Sequence, residues 1–182
     1  MICFHTLCNS QDLKIDMEIF KKVKSIEDSI TVGHMRIHNA FKFQILAHEN
    51  NSFDSIMILE NVYQPNQNIF DNHLSQIFGD LGVKFQPNGI CEWNNTLLKN
   101  NNSSIRESFE LLDAVNIDSL FTKTSIDLQE NTGQDIMGSW LIYMGPKDFN
   151  IAGGFDDNSF VLDMFSELWN SVNIAELIAH EM

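Results

Sequence analysis

Cysteine, proline and positive charge are all scarce in this chain, and each scarcity removes a class of protein. Its 182 residues include three cysteines, three prolines and eleven lysines and arginines. Cys3, Cys8 and Cys91 are odd in number and irregularly spaced, which predicts free thiols in a reducing cytoplasm rather than a disulfide framework. No apolar run comes near the ~20 residues that a membrane-spanning helix needs. Met1 to Ser10 lack a basic stretch ahead of their few apolar residues, so a Sec signal is not expected. The eleven cations stand against 25 aspartates and glutamates, giving a net charge of −14 and a pI near 4.6. A protein that holds nucleic-acid phosphates needs the opposite balance, a basic stripe or patch. Direct binding of DNA or RNA is therefore not expected.

The composition that remains is ordinary for a folded protein: 43% of the residues are apolar. The length suits one core, so residues 1–182 are read as a single globular domain. Ile15, Ile19, Phe20, Val23 and Ile26 recur at helical spacing, predicting a helix over 13–26. Three β-rich segments follow at 29–37, 41–48 and 55–63, separated by short polar connections suited to an antiparallel meander. A helix is predicted over 69–81, ended by Gly82, and a strand–turn–strand over 83–93 around Pro87-Asn88-Gly89. The Asn-rich stretch 94–104 reads as a mobile surface loop, with a short helix at 104–115 after it. Strands are predicted at 117–128, 136–144 and 149–155. Phe160, Val161, Met164, Phe165, Leu168, Trp169 and Val172 fall into two adjacent columns of a helix, and a second short helix covers 174–180. Together these predict an α+β fold: a mostly antiparallel sheet, helices packed on one side, and amphipathic helices at the C-terminal end.

The motifs that would name a reaction are missing. Gly138-Ser139-Trp140 puts an indole where a nucleophile elbow needs its second glycine. Gly153-Gly154-Phe155 leads into Asp156 and Asp157, whose charge repels a phosphate. Asp156, Asp157, Asn158 and Asp163 lack the glycine and the terminal glutamate of a calcium loop. His34 and His38 have the spacing of a helical metal site, but on a strand they stand about 13 Å apart at ~3.3 Å per residue. No metal, cofactor or catalytic residue is expected, and the protein is read as a binder rather than an enzyme. The enzymatic alternative centres on His34, His38 and Cys91.

What the chain does have is an uneven charge. Residues 1–61 carry a net −2 and residues 62–125 a net −3, whereas residues 126–182 carry −9 with Lys147 as their only lysine or arginine. Asp127, Glu130, Asp135, Asp148, Asp156, Asp157, Asp163 and Glu167 are accordingly the candidate partner-binding residues, interleaved with Trp140, Tyr143, Phe149, Phe155 and Trp169. A negative surface of this kind fits a basic protein. Nuclease domains are basic because they hold phosphates, and the expected function is a cytoplasmic immunity-type inhibitor that covers a nuclease toxin. The alternative is an acidic nucleic-acid mimic that blocks a DNA-binding or host-defence protein.

Overall fold

Gly33 sets the register of the sheet. Its φ of 58° lies in the left-handed region, which the first of two turn residues must occupy in a II′ hairpin and which glycine enters without strain. The chain therefore folds back sharply, and β1 (Ser29–Val32) pairs antiparallel with β2 (His34–Asn39), Val32 opposite Met35. The computed structural model describes residues 17–49, 52–79, 87–100, 105, 107, 117–133, 136–145, 152–155, 158–164 and 174–181.

The sheet has five strands in the order β1-β2-β3-β5-β4, with β3 at Met137–Tyr143, β4 at Ala152–Gly154 and β5 at Ser159–Asp163. The central pairs β2–β3 and β3–β5 are parallel, and the outer pairs β1–β2 and β4–β5 are antiparallel. The fold is thus α+β with a mixed sheet. The mostly antiparallel expectation fails because nearly a hundred residues, largely helical where described, separate β2 from β3, and so long a crossover lets the two strands run the same way.

Helices lie on both faces of the sheet, not on one. Met35, Ile37, Trp140, Ile142, Phe160 and Leu162 point to one face and pack with Ile19, Phe20 and Val23 of α1 (Met17–Ser25), Ile117 and Phe121 of α6 (Ile117–Thr132) and Ile178 of α7 (Ile174–Glu181). Leu141, Tyr143 and Val161 alternate to the other face and pack with Ile58, Val62, Tyr63, Ile69, Phe70, Leu74 and Phe78, and with Ile90 of α5 (Pro87–Asn100). This second layer is one helical run. It begins at α3 (Ser55–Ile58), passes through wide turns at Leu59–Tyr63 and Ile69–Leu74 and a tight turn at Gln64–Asn66, and ends at α4 (Ser75–Gly79). Two faces of apolar burial explain the continuous apolar runs 140–143 of β3 and 160–162 of β5.

Several segments adopt the other secondary structure from the one their pattern suggests. Residues 41–48 were expected as a strand, but most of them form α2 (Ala40–Leu46). Lys42 and Gln44, the polar members of the alternation, are buried and hydrogen-bonded to distant segments, so they do not mark a solvent face. Residues 55–63 are helical because Asp54 caps them, its Oδ1 accepting from Ile56 N and Met57 N at 3.0 Å each. Pro87 is the first residue of α5 rather than a hairpin corner. Asn94, assigned to a mobile loop, is buried within that helix. Residues 117–128 belong to α6, where Ile117, Leu120, Phe121 and Thr124 turn inward at helical spacing. The helices over 17–25, 69–79 and 174–180 and the strand at 137–143 match expectation. The stretches 13–16, 80–86, 101–104, 146–151 and 165–172, and all of the expected helix at 104–115 except Ile105 and Glu107, lie outside the described residues.

Candidate functional site

The acidic residues singled out above do not form one patch among the described residues. Asp135, Asp148, Asp156, Asp157 and Glu167 lie outside those residues. Asp163 departs from the expected solvent-facing position. It ends β5 rather than riding the outer face of a helix, and it is fully buried, its Oδ1 accepting from Gly145 N at 2.9 Å. The segment Ser159–Asp163 is buried at every position, and a strand buried on both faces cannot be told from a helix by periodicity.

Asp127 and Glu130 are both exposed on α6. Between and beside them stand Gln129 and Ile126, the latter 49% exposed. The helix ends at Gly133, whose φ of 69° and hydrogen bond to Gln129 O (2.8 Å) close the last turn. Glu130 therefore sits in the last turn, at the negative end of the helix dipole, with Asp127 in the turn before it, and no basic residue occupies the last turn. Carboxylates there oppose the dipole, so they do not serve the stability of the helix.

A second feature lies on the sheet. Strand registers place Arg36, Ser139 and Ser159 side by side across β2, β3 and β5, with His38, Leu141 and Val161 as the next row on the same face. The helical run over 55–79 covers that second row. It stops short of the first, where Arg36 and Ser139 remain exposed. A cleft of about 180 Å³ results, lined by Arg36, His38, Asn66, Asn68, Ser139 and Ser159 and walled by Pro65, Ile69 and Trp140. Among the described residues no acid contributes to this lining.

His38 has a defined protonation state. Asn66 Nδ2 lies 2.8 Å from Val62 O and 2.7 Å from His38 Nδ1. The carbonyl fixes that amide group as a donor, so Nδ1 accepts. Burial is the largest influence and lowers the basicity of the ring against the opposing effect of the Asn66 contact, and the Arg36 charge lowers it further against a smaller opposing effect from Asp28. The neutral ring then carries its proton on Nε2. An imidazole in this tautomer offers no lone pair at Nε2 to take a proton from Ser139 or Ser159.

The remaining candidates are separated. His34 is exposed at the start of β2, and His38 is buried four residues on. Cys91 lies on α5 with its thiol 3.6 Å from Ser55 O, and burial pushes the thiol pKa up, which disfavours the nucleophilic thiolate. Among the described residues no three His, Cys, Asp or Glu side chains gather to hold a metal, and no helix is long and apolar enough to cross a membrane. The cleft went unforeseen because its members are ordinary in sequence. Only the strand registers bring Arg36, Ser139 and Ser159 into line. No protein-family model matches the chain, and no curated protein or solved structure shows significant similarity to it.

Proposed function

We propose that this protein acts by binding a basic protein partner, as an immunity-type inhibitor of a nuclease toxin, and that the outer face of α6 forms part of the contact. The observation that carries this is the position of Asp127 and Glu130. Both are exposed, Asp127 beside the half-exposed Ile126 in the turn before the last and Glu130 in the last turn, where a carboxylate is electrostatically disfavoured. A helix optimised only for its own stability places cations there. Acids flanking an apolar side chain match the anatomy of an interface, an anchor with a charged rim. The net charge of −14 extends the attraction beyond contact distance and speeds encounter with a basic surface.

The test is the double reversal Asp127→Lys/Glu130→Lys in the full chain, assayed against basic nuclease domains, beginning with any that the neighbouring genes encode. The variant is expected to fold with unchanged or slightly raised stability. Its association with the nuclease should slow at least tenfold at low salt and depend less on ionic strength. Inhibition of the nuclease by the variant at an unchanged association rate, or failure of the native protein to inhibit it, overturns the proposal.

A further inference from the structure

The cleft over the first row of the sheet is unlike the rest of this molecule. In a chain with 25 acids and 11 lysines and arginines, its polar lining among the described residues is one arginine, one histidine, two serines and two asparagines, with no carboxylate among them. We propose that it binds a small organic oxyanion, with a phosphoryl or carboxylate head group held by Arg36 and the serine row and an uncharged body resting on Pro65 and Ile69.

Three observations carry this. First, the Arg36 guanidinium makes no hydrogen bond or ion pair among the described residues, although acids outnumber cations more than twofold. A guanidinium in a concave, partly walled position presents a planar fork of donors suited to two oxygens of one head group. Second, Arg36, Ser139 and Ser159 stand at consecutive register positions on three neighbouring strands. With strands ~4.8 Å apart, the row spans about 10 Å, and an oxyanion over Ser139 is within reach of donors on both sides. Third, the buried neighbour of the row adds a donor, not a competing acceptor. His38 gives its Nδ1 to Asn66 and keeps its proton on Nε2. Neutrality of that ring leaves Arg36 as the only fixed charge among the described residues of the lining, which suits a head group of low charge.

Size limits the ligand. A closed apolar cavity of ~150 Å³ holds a benzene molecule. The cleft is about 180 Å³ and open to solvent on the Arg36 side. One ring-sized body with its head group at the mouth fits; a nucleotide does not. The cleft lies on the sheet, apart from the acidic face of α6, so the two proposals stand or fall separately.

The experiment is a titration of the full-length protein, followed through backbone amide NMR shifts, with three probes of matched body: phenyl phosphate, benzoate and phenol, at constant ionic strength. The expected result is saturable shifts confined to the amides of Arg36, His38, Ser139 and Ser159 with one or both anions, and none with phenol. Response to phenyl phosphate alone assigns the phosphoryl group, and response to benzoate alone assigns the carboxylate. Arg36→Met keeps the aliphatic stem of an exposed residue and should weaken binding at least tenfold. Ser139→Ala should weaken it a few-fold. Equal binding by phenol, undiminished binding by Arg36→Met, or no saturable shift at the serine row overturns the proposal.

Discussion

Gln44 and Met144, a hundred residues apart, exchange two hydrogen bonds: Gln44 Nε2 donates to Met144 O at 3.0 Å, and Met144 N donates to Gln44 Oε1 at 2.7 Å. The side-chain amide takes the part of a neighbouring strand, closing the main chain where β3 runs out of partners. Its other Nε2 proton goes to Asn94 Oδ1 at 2.8 Å, and Asn94 Nδ2 donates in turn to Ile90 O. One buried glutamine thus ties α2, the end of β3 and α5 together, with every donor and acceptor in use.

Replacing Gln44 with alanine leaves the buried Met144 amide and carbonyl without partners. The expected cost is about 2–4 kcal/mol, from two orphaned groups at roughly 1–2 kcal/mol each. Gln44→Glu has nearly the same shape but faces Met144 O and Asn94 Oδ1 with oxygen instead of N–H, so it should cost at least as much at neutral pH. Urea unfolding gives both values. A loss under about 0.5 kcal/mol for either variant refutes this assignment.

Both tyrosines of the chain should resist ionisation. Burial and the Asp71 carboxylate that Tyr63 OH donates to, at 2.9 Å, raise the Tyr63 pKa to about 12. Tyr143 is fully buried, and burial, reinforced by the charge of Asp163, holds its pKa well above 10. Absorbance at 295 nm during a rapid pH jump to 10.5 should therefore show almost no phenolate while the fold persists. Unfolding should then release both protons together. A half-equivalent or more of phenolate at pH 10.5 in the folded protein contradicts the packing described for these rings.

Gly33 and Gly138 both occupy positive φ but should respond differently to alanine. At Gly33 the added Cβ meets open space, so only the left-handed backbone strain of about 1–2 kcal/mol applies. At Gly138, φ 140°, a Cβ would lie 2.6 Å from Asn158 O and 2.7 Å from Phe160 Cε2. Asn158 O is main chain and accepts from Ser139 N at 3.0 Å, and the Phe160 ring is stacked on Trp140 at 4.8 Å. Neither yields cheaply, so Gly138→Ala should cost at least about 3 kcal/mol, combining strain with overpacking. Thermal midpoints of the two variants rank them, and the reverse order is the failing result.

How far the sequence foretold this structure depended on where its polar residues went. The α+β composition and the strand at Met137–Tyr143 were legible because apolar runs bounded by turn residues are specific enough for such segments. The α2 helix was not, since Lys42 and Gln44 alternate with Phe41, Phe43 and Ile45 as a half-buried strand would. Lys42 is instead buried on Ile26 O and Asp28, and Gln44 on Met144. Asp163 misled in the opposite direction: a charge taken for solvent-facing bonds to Gly145 N inside the sheet. Among the acids chosen from charge alone, Asp127 and Glu130 do lie on the surface. The Arg36 cleft depends on register between strands more than a hundred residues apart, and no local pattern encodes that.

Lowering the pH should destabilise the protein through His38. The imidazole is buried and neutral in the fold, its basicity lowered from the ordinary 6.5 chiefly by burial. In the unfolded chain the ring is solvated and titrates near that ordinary value. Well above pH 6.5 the ring is neutral in both states and contributes no slope. Below it the unfolded chain takes up a proton that the folded state refuses, so stability falls as pH falls, by up to ~1.4 kcal/mol per unit until the folded pKa is reached. The chain holds five other histidines, so the measurement is a difference between the native protein and His38→Gln, which keeps an acceptor for Asn66 but no proton to gain. Urea midpoints from pH 8 to 5 should run parallel above pH 6.5 and separate below it, with the native protein losing stability faster. Parallel lines over the whole range would show that His38 takes up its proton as readily in the fold as outside it, contrary to its burial against Asn66.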